Sequence, residues 1–359
     1  MWVKLVCALL CALPAQAGFY ELRFLHPGGK QSMGLALDTG IQGGYATQPP
    51  NGTSGLAATW KGTAESYQLY SVSGRPVQIN DIRGARMVGT VSLTSGSQAV
   101  RWNNFSSFVP ELPSGISQTF GMGISATQMV GWGISSTGTF LHRALLWADI
   151  DNDRFPISLN PPGYYASEAY AVDGGNQAGY AMVAGDRPHA MIWSSTAESA
   201  QDVNPPGYEL SNALDVRAGK AVGYAQDLSV GESGGRRAVL WNSTSSSAVV
   251  VLHPAGAVGS EAVSVANGRQ VGEVDNHAAL WSGTAESFED LHSYLPPEYE
   301  SSRAMGIDDE GNIIGYAHLN TFNGGWYHAV MWAVPEPGSI SVLLSLATTR
   351  LLTRRRASL

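Results

Sequence analysis

The sequence predicts an all-β fold, a seven-bladed β-propeller of four-stranded repeats about 45 residues long, on three observations. An Ala-x-x-Trp phrase recurs seven times, ending at Trp60, Trp102, Trp147, Trp193, Trp241, Trp281 and Trp332, with intervals of 42, 45, 46, 48, 40 and 51 residues. Each interval reads as short strands between turn residues, with no apolar stripe of helical period. The array is also permuted at its ends: the last repeat stops at Trp332 without a fourth strand, and a segment of fourth-strand type stands at the front.

Within one period, Ser167 to Tyr208, four strands are expected: Glu168 to Val172, Gln177 to Val183, His189 to Trp193 and Ser199 to Val203. Gly, Asp, Pro and Ser separate them, residues that set tight turns. The second and third are apolar on both faces, as strands covered from both sides should be. A glycine precedes each Trp phrase in an apolar setting: Gly44, Gly89, Gly131, Gly179, Gly223, Gly272 and Gly315. The near-identical "WKGTAES", "WSSTAES" and "WSGTAES" at Trp60, Trp193 and Trp281 are read as the turn from third strand to fourth. Seven equivalent indoles are a scaffold, since losing one buried Trp costs about 3–5 kcal/mol against roughly 5–15 for a domain. The front segment "YELRFLHPGG" matches "VVVLHPAG" at Val249, so the N-terminal strand is expected to complete the last blade and remove an open edge.

The ends carry targeting signals. Residues 1–17 read as a secretory signal peptide: Lys4, an apolar run from Leu5 to Leu13, and an Ala-Gln-Ala site before Gly18. Both cysteines, Cys7 and Cys11, fall in this leader, which leaves residues 18–333 without disulfides, thiol catalysis or thiolate metal sites. That propeller segment and Val334 hold 16 basic against 28 acidic residues, a net charge of −12, which argues against nucleic-acid binding. No cofactor is expected, and the protein is expected to be monomeric.

Residues 334–359 combine Pro335-Glu336-Pro337, an apolar stretch from Ile340 and the basic cluster Arg354, Arg355 and Arg356. This order of parts resembles the PEP-CTERM sorting signal of exported bacterial proteins; Arg350 interrupts its apolar stretch. The resemblance implies transient inner-membrane association, an exosortase-type sorting enzyme as partner, and delivery to the cell surface or extracellular matrix, with exopolysaccharide as an associated ligand. The repeat itself, with Ser-x-Ala at Ser167, Ser211, Ser260 and Ser302, Gly-Tyr-Ala, and His189, His277 or His328 before Ala-x-x-Trp, is similar to the HAF family of extracellular repeats. That likeness implies export and repetition and no established activity. The His gives way to Leu56, Gln98, Arg143 and Arg237 in the other copies, which weakens it as a shared catalytic group.

Catalytic residues are not legible in the sequence. There is no H-E-x-x-H, G-x-S-x-G or phosphate loop, and a glycosidase carboxylate pair could be assembled only from distant blades. Asp38, Asp81, Asp173, Asp215 and Asp308 recur near the first turn of the repeat, where an Asp is expected to cap its own turn. Asp149, Asp151 and Asp153 have the alternate spacing of a calcium loop, yet Arg154 and Asn160 stand where Gly and Glu belong, so a solvated turn is expected. Three connections between blades, "NPPGY" at Asn160 and Asn204 and "LPPEY" at Leu295, carry Tyr164, Tyr208 and Tyr299. These are read as turns, with a platform for sugar rings as the functional alternative. The functional expectation is a non-enzymatic exported repeat protein; the alternatives are a propeller glycoside hydrolase or polysaccharide lyase, and a structural spacer.

Overall fold

The computed structural model describes residues 20–26, 31–47, 55–104, 106–136, 141–183, 185–230, 235–242, 248–320 and 325–335. The leader and the tail residues Glu336, Pro337, Arg354, Arg355 and Arg356 lie outside them; Pro335 lies just past the last strand. Seven four-stranded antiparallel sheets form a seven-bladed β-propeller. Blades 1 to 6 are continuous in sequence: Ser32–Tyr70, Val77–Phe108, Ile116–Ser158, Ser167–Asp202, Leu210–Val251 and Ser260–Asp290. Blade 7 joins Tyr299–Ala333 to the N-terminal strand Glu21–Phe24, whose register runs from Glu21 opposite Ala333 to Phe24 opposite Val330. The ring is therefore closed by its two ends, as the permuted repeat predicts. Among the described residues no helix is long and apolar enough to cross a membrane.

The core is seven cores, one per interface between neighbouring blades. Each contains one repeat tryptophan, which its own blade presents to the blade before it: Trp193 meets Val130, Leu146 and Leu159 of blade 3, and Trp241 meets Ile192 and Val203 of blade 4. All seven indoles are at most 2% exposed. Leu25, at the end of the N-terminal strand, is fully buried with Trp60 in the interface that shuts the ring.

A polar clip registers the blades. The Ser of Ser-x-Ala starts a first strand and accepts the backbone N–H of the alanine that opens Ala-x-x-Trp in the previous blade: Ser167 from Ala144 (3.1 Å), Ser211 from Ala190 (3.0 Å), Ser260 from Ala238 (2.9 Å) and Ser302 from Ala278 (2.9 Å). Ser32 does the same across the closing seam, from Ala329. Such buried groups must be paired, because leaving one unmatched costs about 1–3 kcal/mol. The same serines bond the side chain that follows the preceding fourth strand, Asn160, Asn204 or His253. That Asn also donates to the carbonyl of Tyr164 or Tyr208, so the Asn of "NPPGY" ties its own turn shut.

The "TAES" phrase is a building part. Ala64–Ser66, Ala197–Ser199 and Ala285–Ser287 each form one turn of 3-10 helix. In blade 4 this displaces the expected start of the fourth strand: only Gln201–Asp202 pairs, because Ser199 is occupied capping the turn. A buried glutamine of the second strand staples each loop, with Gln42, Gln177 and Gln270 accepting from Gly62, Ser195 and Gly283 at 2.7–2.8 Å.

Candidate functional site

The seven repeat glycines build the axis. In every blade the first strand carries a bulge directly after the residue facing the glycine, for example between Ala169 and Ala171 opposite Gly179. A Cβ on Gly179 would lie far inside contact distance of the Glu168 carbonyl oxygen, and each of the other six glycines meets the same obstruction. A bulge turns one extra side chain out of the ladder. Here those residues, Leu35, Asn80, Met122, Tyr170, Leu214, Val263 and Met305, all line an axial cavity of about 360 Å³. Its waist is mostly apolar and both mouths are charged.

At the lower mouth, where first strands end, Arg83 pairs with Asp38 and Asp173 (both 3.6 Å), and Arg217 with Asp309 (2.9 Å) and Asp38 (3.8 Å). The recurrent aspartates are not turn caps of one kind. Asp38 and Asp173 accept backbone N–H groups of the neighbouring blade, from Gly84 (2.6 Å) and Ala218 (2.9 Å). Asp81 and Asp215 stand inside the first strand, immediately after the bulge, and clip Ile124 and Val265 of the next blade at 2.8 Å. Asp308 alone of the five closes its own turn, through Asn312. The expectation of turn capping fails for the others because strands converge at the axis, which brings the next blade's amides closer than the residue's own.

Burial pushes the Asp81 carboxyl up to about 7, against hydrogen bonds from Ile124 and the charge of Arg83, which act the other way. Asp215 is raised for the same reason. A carboxyl held above its unfolded value binds its proton more tightly when folded, so stability is full at low pH and falls as pH rises from about 4 to about 7. At about 1.4 kcal/mol per pH unit, and with one face wetted by the cavity, the loss is one to a few kcal/mol. Asp81→Asn cannot ionise. Its thermal midpoint should trail the parent clearly at pH 5 and by much less at pH 8; parallel curves would remove the assignment.

At the upper mouth, where first strands begin, lies the level at which the repeats differ most. The residue between Ser and Ala of Ser-x-Ala, and its counterparts, are Met33, Gln78, Phe120, Glu168, Asn212, Glu261 and Arg303. Their cross-strand partners after the glycine are Tyr45, Thr90, Trp132, Tyr180, Tyr224, Glu273 and Tyr316. In blades 3 and 4, Phe120, Trp132 and His142 stack in a row with centroids 3.9 and 4.3 Å apart. His142 contacts the buried Glu168, which also accepts the hydroxyls of Tyr170 (2.7 Å) and Tyr180 (2.8 Å). Burial and the Glu168 charge hold both phenols above their usual range. In blades 5 to 7, Glu261 takes Arg236 (2.5 Å) and Arg303 (2.6 Å), and Arg236 lies over the Tyr224 ring at 4.0 Å. Asn212 Oδ1 and Arg303 Nε are buried here without a partner.

The sequence-derived candidates fall elsewhere. Tyr164, Tyr208 and Tyr299 occupy equivalent connections, but each packs into a different interblade core: Tyr164 and Tyr208 are half-buried, and Tyr299 is buried, stacked on Phe24 and bonded to His328. Asp149, Asp151 and Asp153 form a self-bonded turn, with Asp149 accepting from Asp151 and Asn152 and Asp151 held by Arg86. No group of three or more potential metal ligands occurs among the described residues. His189 and His277 anchor the fourth strand of their own blades through Asp202 and Asp290. The glutamates of the upper mouth were missed. Their signal was the variable middle residue of Ser-x-Ala, the position a search for repeated residues discards.

No family model and no curated protein matches the chain. Solved structures do. The β-propeller domain of the trilobed protease from Pyrococcus furiosus superposes with a TM-score of 0.52 at 10% identity, over 85% of this chain and 95% of that one. A Mycobacterium tuberculosis puromycin-hydrolysing peptidase gives 0.53 at 12% identity, over 85% and 53%. The Pyrococcus horikoshii acylaminoacyl peptidase gives 0.52 at 10%, over 83% and 52%. The chain spans about half the length of these two peptidases. The trilobed-protease domain is described as having an open velcro topology, whereas strand Glu21–Phe24 closes the ring here. At such identities the likeness establishes one thing, the β-propeller fold.

Proposed function

We propose that the protein is an exported, non-enzymatic binding propeller, sorted through an exosortase route to the cell surface or extracellular matrix, whose upper face recognises extracellular polysaccharide. The leader, the tail that resembles a PEP-CTERM signal and the acidic composition support the route. The observation that carries the binding reading is the distribution of variation. Clip serines, bulge glycines and tryptophans recur around the ring, while the upper-mouth level presents aromatic, amide, acidic and basic groups in an irregular order. Aromatic rings with interspersed hydrogen-bonding groups suit sugar faces and hydroxyls.

A hydrolase or lyase reading draws on His142, Glu168 and Tyr180, groups fit for acid–base work. Against it, both oxygens of Glu168 and of Glu261 already accept bonds from neighbouring side chains. A carboxylate so engaged orients its partners and is poorly placed to take a substrate proton. The test incubates residues 18–333 with the host's own exopolysaccharide and measures both binding and new chain ends. Binding without cleavage is expected, and Trp132→Ala should weaken it about tenfold, roughly 1.4 kcal/mol, at little cost in thermal midpoint. Cleavage would establish the enzymatic reading. No binding by the parent would leave the spacer.

A further inference from the structure

The Ala-x-x-Trp phrase hides one irregularity at its third position. That residue is Leu146, Ile192, Leu240, Leu280 or Met331 in five blades, each no more than 5% exposed and packed into the core against the next blade. In blade 1 it is Thr59, bonded to Tyr70. In blade 2 it is Arg101. A cation therefore sits where the repeat builds hydrophobic core, at the interface of blades 2 and 3.

Partial burial holds the Arg101 guanidinium below its usual range, and the charges of Asp151, Asp149 and Asp153 act against that only from beyond ion-pair distance. Nη1 of Arg101 is sealed from solvent and has no hydrogen-bond partner, and no carboxylate among the described residues lies within ion-pair distance of the guanidinium. The ring of Phe108 lies 4.5 Å from the guanidinium carbon. The other cations nearby are already taken: Arg86 grips Asp151 through two bonds of 2.7 and 2.9 Å, and Arg154 pairs with Glu111. Arg101 is half-buried, and holding one of its N–H groups away from water without a partner is costly; a leucine of similar reach would remove that cost. Departures from a repeat's own rule without an internal gain mark functional positions.

The same place holds a cavity of about 330 Å³. Arg101, Arg86 and Arg154 give it cationic walls, the last two paired with Asp151 and Glu111; Phe108, Ile124 and Ile150 give apolar ones, and Asp151, Ser107 and Asn152 add carboxylate, hydroxyl and amide groups. The volume is at the small end of ligand pockets, about 300–1,000 Å³, and suits one sugar ring. A planar fork with no other acceptor matches a carboxylate. Asp151 of the acidic turn lines the cavity as well, which disfavours multiply charged anions such as phosphate. We propose that this cavity binds a carboxylate-bearing sugar, with Arg101 taking the carboxylate and the serine and asparagine side chains meeting the ring hydroxyls. The site is separate from the upper face and stands or falls independently of it.

The experiment compares residues 18–333 with Arg101→Leu and Arg101→Met, residues that other blades carry at this position. Thermal midpoint and calorimetric binding are read with sodium glucuronate, glucose and sodium sulfate as probes. Glucuronate should raise the parent's midpoint by several degrees and glucose should not. Without ligand both variants should melt at or above the parent, and glucuronate should no longer shift them. Four results overturn the proposal: glucuronate leaves the parent unchanged; both variants melt well below it, which makes the guanidinium structural; the variants respond to glucuronate as the parent does; or sulfate works equally well, which makes this a general anion site. Hyaluronan, a glucuronate polymer, then separates the sources. Tighter binding than the monosaccharide identifies a polymer-borne uronate, and exclusion of the polymer identifies a free sugar acid.

Discussion

Trp193→Ala is expected to lower the thermal midpoint by about 10 °C, from a loss of about 3–5 kcal/mol. The indole is fully buried between blades 3 and 4, in the core that holds Leu146, Leu159 and Met191. It also opens the "TAES" turn, so its loss loosens the staple that Gln177 makes to Ser195. Trp241→Ala should cost at least as much, because the Trp241 Nε1–H donates to the Val203 carbonyl at 2.8 Å and its removal also orphans that acceptor. Thermal unfolding followed by tryptophan fluorescence checks both. A shift under 2 °C for either, where about 10 °C is expected, would mean that the interblade cores do not hold the ring together.

Removing residues 18–26 is expected to broaden the melting transition or to promote aggregation. The deletion strips blade 7 of strand Glu21–Phe24 and exposes the edge of Trp326–Ala333 from Val330 to Ala333. An unpaired edge of that kind templates further pairing. It also removes Leu25 from the core around Trp60 in the seam between blades 7 and 1, and Phe24 from its stack on Tyr299 in the core between blades 6 and 7, so blade 7 loses apolar contact on both faces. Supplying the strand as a synthetic peptide should restore the sharp transition. If the truncated protein melts sharply at the parent's midpoint, closure by the N-terminal strand contributes nothing to stability. Size-exclusion chromatography beside the melting curve separates aggregation from simple loosening.

Much of the architecture was readable from residues because repetition amplifies weak signals. A single Ala-x-x-Trp says little, but seven at near-constant spacing fix the blade count, the buried face and the direction of each third strand. The match of Leu25-His26 to Leu252-His253 foretold closure, since both segments follow a fourth strand and bond the same kind of serine, Ser32 and Ser260. What escaped was chemistry that depends on neighbours in space. Asp81 looks like a turn aspartate until a bulge places it against the Ile124 amide of the next blade. Tyr164 looks exposed beside Pro-Gly until the interblade core folds around it. Arg101 looks like an ordinary polar residue in a strand, and its isolation appears only when its counterparts in the other interfaces are seen to be core.

By itself the sequence determined the wheel: local period, turn residues and recurrent indoles leave a chain of this length one closed way to bury its apolar faces. The tertiary structure decided which polar residues matter. Glu168, Glu261 and Asp81 reach partners 25 to 43 residues away in the chain, on strands of other blades, and Arg101 Nη1 finds none. Sequence order records which residues are neighbours along a strand. Charge, burial and hydrogen bonding are set by neighbours across the interfaces, and those exist only once the ring has closed.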